Sequence, residues 1–211
     1  MDRIDELADA LANEATPVSR APRPLWLASL WFGAVALYLL LALLLAGLRP
    51  DWALKLGDLH FLAELATLTA VLAASSYSAA LLAYPDLHQQ RRPALPLLLA
   101  AGLFLVALSL SWLDDSPPAP LPLHSIECSL LIAFFALLPA LGLMLALRRF
   151  ASTHPGLAGG ASLLFAFTGG ALWLRLFELN DSIPHVLLWH YLPLLAAGLL
   201  GVWLGRLLLK W

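Results

Sequence analysis

Long apolar stretches alternate with short polar connections along most of the chain. Six stretches reach about 20 residues, the length with which an α-helix crosses a bilayer core of roughly 30 Å. Runs of that length without a period of two favour helices over the strands of a β-barrel. The six stretches cover approximately residues 25–48, 59–84, 95–113, 128–147, 157–177 and 186–205.

Composition indicates that lipid is the solvent for these stretches. The hydrophobic fraction is 61% and the charged fraction 12%, whereas soluble domains have about 45–50% and about 25%. A soluble fold of 211 residues has too little interior to bury so much apolar surface. Because the connections are short, we predict an all-α membrane protein whose six transmembrane helices form an up-and-down bundle.

The distribution of Lys and Arg predicts how the bundle is oriented. Nine of these residues lie in the N-terminal segment, the second-to-third connection, the fourth-to-fifth connection and the C-terminus, and two lie in the other connections. Since cytoplasmic loops carry the excess of positive charge, both termini are predicted to be cytoplasmic. The connections 49–58, 114–127 and 178–185 then face outward.

The segment before the first span differs from the rest of the chain, so residues 1–24 are predicted to act as a separate unit from the transmembrane domain 25–211. Residues 2–16 have the pattern of an amphipathic helix, and residues 1–16 carry five acids and one base. Pro17 stops the helix, and Pro22 and Pro24 keep the linker extended. The apolar face comprises Ile4, Leu7, Ala8, Leu11 and Ala15.

This N-terminal segment is predicted to bind a partner protein. Its acidic face would be repelled by an anionic cytoplasmic leaflet, and a helix of about four turns is marginal alone in water. An apolar groove with a basic rim on a partner would order it. The alternative is a solubilising tail that binds nothing. The residues predicted to contact the partner are Ile4, Glu6, Leu7, Asp9, Leu11, Pro17 and Val18.

Two charges lie inside predicted spans. Glu64 and Arg175 both fall close to the outer ends of their helices. An intramembrane charge is a functional hypothesis by default. At this shallow depth, an ion pair or snorkelling to the interface is favoured over a proton or ion path.

Candidate signal-sensing residues gather in two outward connections. They offer a single thiol, two imidazoles and carboxylates, a set that can bind a soft or borderline metal ion. A small buried thiol beside ordinary polar loop groups is the alternative. No other cofactor is predicted, because His60 and His190 give no convincing haem-ligand pair. The candidates are His124, Cys128, Glu178, Asp181 and His185.

No enzyme signature is visible. The chain has no Walker loop, no GxSxG, no HExxH and no paired CxxC, which favours a non-enzymatic protein. A small transporter or channel is the alternative function. It would require internal repeats and polar residues near mid-membrane, with helices broken at residues such as Pro139 or Pro193.

Several segments in order along the chain resemble one bacterial family. They are ATPVSRAPRPL before the first span, LRPD after it, ECSLLIAFFALLPALGLMLALRRFASTHPGLAGG across the fourth span, NDSIPHVLLWHYLP, and the terminal GRLLLKW. Together they resemble the NrsF family of anti-sigma factors, negative regulators of sigma F. The resemblance implies a six-helix protein of the bacterial inner membrane that contacts no nucleic acid directly.

The resemblance also implies a mechanism and one departure from it. The cytoplasmic N-terminal segment of the family is thought to hold an extracytoplasmic-function (ECF) sigma factor until a stress or metal signal releases it. Family members typically carry two periplasm-facing cysteines, of which one matches Cys128. Phe177 and Glu178 stand where a histidine and the second cysteine usually do. Glu178 replaces a metal ligand, or this member senses something else, or sensing has been lost.

Overall fold

The computed structural model describes residues 2–14, 21–85, 92–114 and 125–210, with the side chains of Asp2 and Asp114 left aside. All regular elements among the described residues are helices, and these residues contain no strand. The helices are α1 (Asp2–Glu14), α2 (Pro24–Ala46), the single turn α3 (Trp52–Lys55), α4 (Leu59–Leu82), α5 (Leu95–Asp114), α6 (Ile126–Leu147), α7 (Pro155–Phe177) and α8. Helix α8 is composite, with an α-helical turn Ile183–His185, a π-helix Val186–Tyr191 and an α-helix Leu192–Leu208.

Six helices are long and apolar enough to span a membrane, which confirms the predicted number and places of the spans. They are α2, α4, α5, α6, α7 and α8, and each lies within a few residues of its predicted stretch. The chain is therefore a multi-pass membrane protein of the all-α class. The N-terminal helix α1 is also present, although its predicted end, together with Pro17 and Val18, lies outside the described residues.

Helix α7 is the centre of the bundle. It packs against α2, α4, α6 and α8, and most of its residues are buried, whereas only a minority of the residues of α2, α5 and α6 are buried. Small side chains let four neighbours approach one helix, because membrane helices associate through close packing rather than the hydrophobic effect. On α7 these are Gly156, Ala158, Gly159, Gly160, Ala161, Ala166, Gly169, Gly170 and Ala171.

The bundle has a terminal end and a distal end. At the terminal end, the start of α2 meets the end of α4, where the Ser76 hydroxyl donates to the Ala28 carbonyl at 2.8 Å and Tyr84 donates to the Pro22 carbonyl at 2.6 Å. At the distal end, α2 stops at Gly47, whose φ of 93° favours glycine. The distal end comprises the connection 47–58, the first turn of α6 and the connection 178–182.

Candidate metal centre and charge network

A buried ion pair joins α4 to α7 near the distal end. The Arg175 guanidinium donates to both oxygens of Glu64, at 2.7 Å from Nε and 2.9 Å from Nη2. The Tyr191 hydroxyl of α8 donates to the same carboxylate. Of the two alternatives predicted for these charges, an ion pair or snorkelling to the interface, this bidentate geometry shows the ion pair. The pairing explains why the Glu64 carboxylate can be buried, with only 8% of the residue exposed.

The charge network continues into the connections of the distal end. Asp181 accepts from Arg175 at 2.9 Å, from Arg49 at 2.8 and 2.9 Å, and from Lys55 at 2.9 Å. Arg49 donates to Asp51 as well, and its side chain is fully buried. Its backbone N–H donates to the Leu176 carbonyl at 3.0 Å. A single carboxylate therefore ties the first and last distal connections together.

These contacts set the protonation of the distal connections. Burial raises the pKa of Asp181, but hydrogen bonds from Arg49 and Lys55 and the charge of Arg175 outweigh it, so its pKa lies well below the usual range. The hydrogen bond from Arg49 likewise lowers the pKa of Asp51. Hydrogen bonds to Asp181 and Asp51 raise the pKa of Arg49. Arg49, Asp51 and Asp181 are therefore ionised at neutral pH.

Replacing Asp181 by Asn should destabilise the bundle by about 2 kcal/mol, because the buried Arg49 loses one of its two carboxylate partners. A carboxyl group whose pKa is lowered on folding stabilises the fold fully above its unfolded pKa and loses that effect as pH falls toward the folded pKa. The stability gap between the native chain and Asp181→Asn should hold from pH 7 to about pH 4 and narrow below it. Thermal unfolding of both proteins in detergent across this pH range measures the stability difference. A difference that widens in acid would contradict the lowered pKa of Asp181.

A second group of polar side chains lies beside the network. Cys128 is in the first turn of α6, Glu178 follows α7, and His185 and His190 belong to α8. One ligand atom from each lies within 4.8 Å of the others, and we call these four residues the thiol–imidazole cluster. Both histidines are almost fully buried, while Cys128 and Glu178 are half-buried.

Short distances hold the cluster around the Glu178 carboxylate. Its oxygens lie 3.1 Å from His185 Nε2, 2.9 Å from His190 Nε2 and 3.5 Å from Cys128 Sγ. Burial raises the pKa of Glu178, but the close His190 and then His185 outweigh this and lower it. The carboxyl group is therefore a carboxylate at neutral pH.

The π-helix brings His190 into the cluster. Residues five apart share a face only where the backbone hydrogen bonds run from i+5 to i, and the rings of His185 and His190 are 5.1 Å apart. Pro193 has no N–H to donate to the Trp189 carbonyl four residues earlier. The hydroxyl of Ser129, next to Cys128, donates to that carbonyl instead, at 2.7 Å. Pro193 therefore does not break the span but accompanies a change of register beside the cluster.

The structure sorts the predicted sensing residues into two neighbouring sites. Cys128, Glu178 and His185 come together, Asp181 lies in the charge network, and His124 is outside the described residues. Sequence reasoning missed His190 as a member, since an ordinary α-helix would point it away from His185. The five-residue spacing just before Pro193 is the signal that could have indicated it.

A family model described as "Negative regulator of sigma F" matches residues 11–211. The chain belongs to the NrsF family. The anti-sigma-F factor NrsF of Caulobacter vibrioides (strain NA1000 / CB15N) is 45% identical over 75 residues, which are 34% of this chain and 33% of that protein. The match thus spans about a third of the relative's length. No solved structure matches.

Proposed function

We propose that this NrsF-family protein is a membrane-anchored anti-sigma factor. Its N-terminal segment, residues 1–24, holds an ECF sigma factor at the bacterial inner membrane, and a stress or metal signal at the distal end releases it. Both termini are cytoplasmic in this proposal, and the distal end faces the periplasm. Family membership over residues 11–211 is the observation that carries it.

The N-terminal helix offers a surface suited to a protein partner. Ile4, Leu7 and Leu11 of α1 are 74%, 62% and 61% exposed, so the bundle does not cover its apolar face. Acidic side chains, among them Glu6 and Asp9, lie beside that face and are also exposed. An amphipathic helix of this kind docks its apolar face in a groove, and the flanking acids favour a basic rim on the sigma factor.

Charge pairing at the two ends supports the proposed orientation. At the distal end, Arg49 and Lys55 are neutralised by Asp51, Asp58 and Asp181. The terminal end carries Arg23, Arg148, Arg149, Arg206 and Lys210, and the described part of the chain has no acidic residue between Arg148 and Glu178. An excess of positive charge near the span ends favours the cytoplasmic side.

Release is a shift between a sigma-binding state and a free state of the chain. Moving such an equilibrium from almost fully bound to almost fully free requires a difference of roughly 5.5 kcal/mol in how the signal binds the two states. A coordinated metal ion supplies energies of that order, whereas a single exposed charge does not.

Replacing Leu7 and Leu11 by Asp should abolish capture of the sigma factor. Two charges in the apolar face would have to enter the partner's groove without counterparts, which costs several kcal/mol. The measurement is the amount of sigma factor co-purified with the tagged full-length chain from its native host. A chain lacking residues 1–16 should likewise retain none.

The matched control adds the same two charges elsewhere on α1. Ala12→Asp with Asn13→Asp places them away from the apolar face and should leave capture intact, and both double variants should reach the membrane in equal amounts. Sigma factor retained by the Leu7/Leu11 variant would overturn the role of α1. If no sigma factor co-purifies with the native chain, the proposed anti-sigma activity is rejected, although the chain still belongs to the family.

A further inference from the structure

The thiol–imidazole cluster has the dimensions of a metal site. The separations among its ligand atoms include 2.9 Å, 3.1 Å and 3.5 Å to the Glu178 oxygens and 3.8 Å from Cys128 Sγ to His185 Nε2, and all four atoms lie within 4.8 Å of one another. A tetrahedral Zn²⁺ ion with its usual bond lengths has ligands separated by about 3.3–3.6 Å. Small side-chain adjustments would therefore close the cluster around one ion.

The two imidazoles are poorly satisfied as hydrogen-bonding groups. His190 is fully buried, and neither of its ring nitrogens makes a hydrogen bond with the residues that the structure describes. Its Nε2 lies close to Glu178 but off the axis that a hydrogen bond requires. Nδ1 of His185 is buried and unpaired in the same part of the chain. A buried polar nitrogen without a partner is rare and unfavourable, and a metal ion in the cluster would take up the lone pair of His190 Nε2, whereas His185 would bind through Nε2 and not through its unpaired Nδ1.

The chemistry of the four ligands selects a class of ion. Imidazoles suit Zn²⁺, Co²⁺ and Ni²⁺, a thiolate adds preference over the hard ions Mg²⁺ and Ca²⁺, and the absence of a second sulfur among the four disfavours Cu⁺. Thiolate and carboxylate together carry two negative charges. They neutralise a divalent ion, which matters at the edge of a membrane where unpaired charge is costly.

We propose that Cys128, Glu178, His185 and His190 bind one divalent transition-metal ion of the Zn²⁺ class. The Cys128 thiol gives its proton to solvent as the sulfur–metal bond forms. Binding itself is a property of this chain alone, whereas its role as the release signal rests on the function proposed above.

The cluster is placed to act on the rest of the bundle. Glu178 and Asp181 share one short connection, so a change at the first is transmitted to the carboxylate that holds Arg49 and Arg175. His190 precedes Tyr191, which contacts the buried pair through Glu64. An ion that draws four ligands together thus constrains α6, α7 and α8 at once.

The test uses the full-length chain in detergent, freed of metal by a chelator. Zn²⁺ alone is the probe, and the readouts are the bound metal per chain, the affinity in competition with a chromophoric chelator, and the alkylation rate of Cys128. Because the chain has one cysteine, alkylation reports on this site without ambiguity. We expect one Zn²⁺ per chain, at least a tenfold slower alkylation, and no effect of Mg²⁺.

Variants separate the site from adventitious binding. Cys128→Ser and His190→Gln should each lower the affinity about 100-fold or more, since even supporting residues are worth about 10–100-fold. His60→Gln changes an exposed histidine at the same end and should not alter it. Co²⁺ bound to the native chain should show a thiolate charge-transfer band that Cys128→Ser lacks.

Some outcomes would overturn the site. They are Zn²⁺ binding unchanged in Cys128→Ser and His190→Gln, unprotected Cys128 in the native chain at saturating Zn²⁺, or equal protection by Mg²⁺. The last two need no variant and so are unaffected by a folding defect in His190→Gln. These measurements need no sigma factor, so a failed pull-down leaves them intact, and Zn²⁺ binding that leaves a captured sigma factor in place would reject only the link to release.

Discussion

Replacing Arg175 by Met should lower the free energy of unfolding by about 3–5 kcal/mol, the range for removing one partner of a buried ion pair. Arg175 makes two hydrogen bonds to Glu64 and one to Asp181. Without it, the Tyr191 hydroxyl is the one hydrogen-bond donor to the buried Glu64 carboxylate among the residues that the structure describes. Denaturant-induced unfolding in detergent measures the loss.

Two further variants test the cause of this loss. Arg148→Met makes the same substitution at an exposed position, where one hydrogen bond to the Leu208 carbonyl is lost, and should cost no more than about 1 kcal/mol. Adding Glu64→Leu to Arg175→Met removes the carboxylate that has lost its partner, and it should restore much of the lost free energy of unfolding. A double variant as unstable as the sum of the two single variants would show that the pair is not coupled.

The second large effect is expected where α7 crosses α8. A methyl group on Gly159 would lie 2.6 Å from the Gly205 Cα and closer still to the Gly201 carbonyl oxygen. Backbone atoms cannot move aside as a flexible side chain can, so Gly159→Ala must separate the two helices. We expect a destabilisation of about 3 kcal/mol, at the upper end of the range for overpacking.

A glycine on the same crossing pair provides the matched control. A methyl group on Gly198 of α8 would meet no neighbouring group within 4 Å. Gly198→Ala should be neutral or stabilise α8 by about 0.5–1 kcal/mol, because alanine is the better helix former. Equal effects of the two substitutions on thermal unfolding would mean that helix propensity, rather than close packing, dominates at this crossing.

The sequence was sufficient for the membrane helices and for part of the site. The spans follow from average hydropathy over windows of about 20 residues, a local property, and all six were confirmed. For Glu64 and Arg175 the shallow depth of both charges predicted either an ion pair or snorkelling to the interface, and the structure shows the ion pair. Cys128, Glu178 and His185 were candidates because their side chains can all bind a metal.

Other features depend on how the helices rotate and approach one another. That α7 is central depends on which small-residue faces meet, and hydropathy does not encode this. Asp181 belongs to the charge network and not to the thiol–imidazole cluster, because the tertiary fold brings Arg49 into hydrogen-bond contact with it. Arg49 lies 132 positions earlier in the chain.

The sequence by itself therefore determined the membrane-spanning class, the places of the six spans and the family to which the chain belongs. Only the tertiary structure decided that His190 joins Cys128, Glu178 and His185. The reason is that Pro193 has no N–H to donate to the Trp189 carbonyl, and the Ser129 hydroxyl on α6 donates to that carbonyl instead. This contact supports the π-helical register of α8. The five-residue spacing of His185 and His190 before Pro193 is compatible with that register, but the contact that supports it comes from another helix, so the pattern within α8 did not decide it alone.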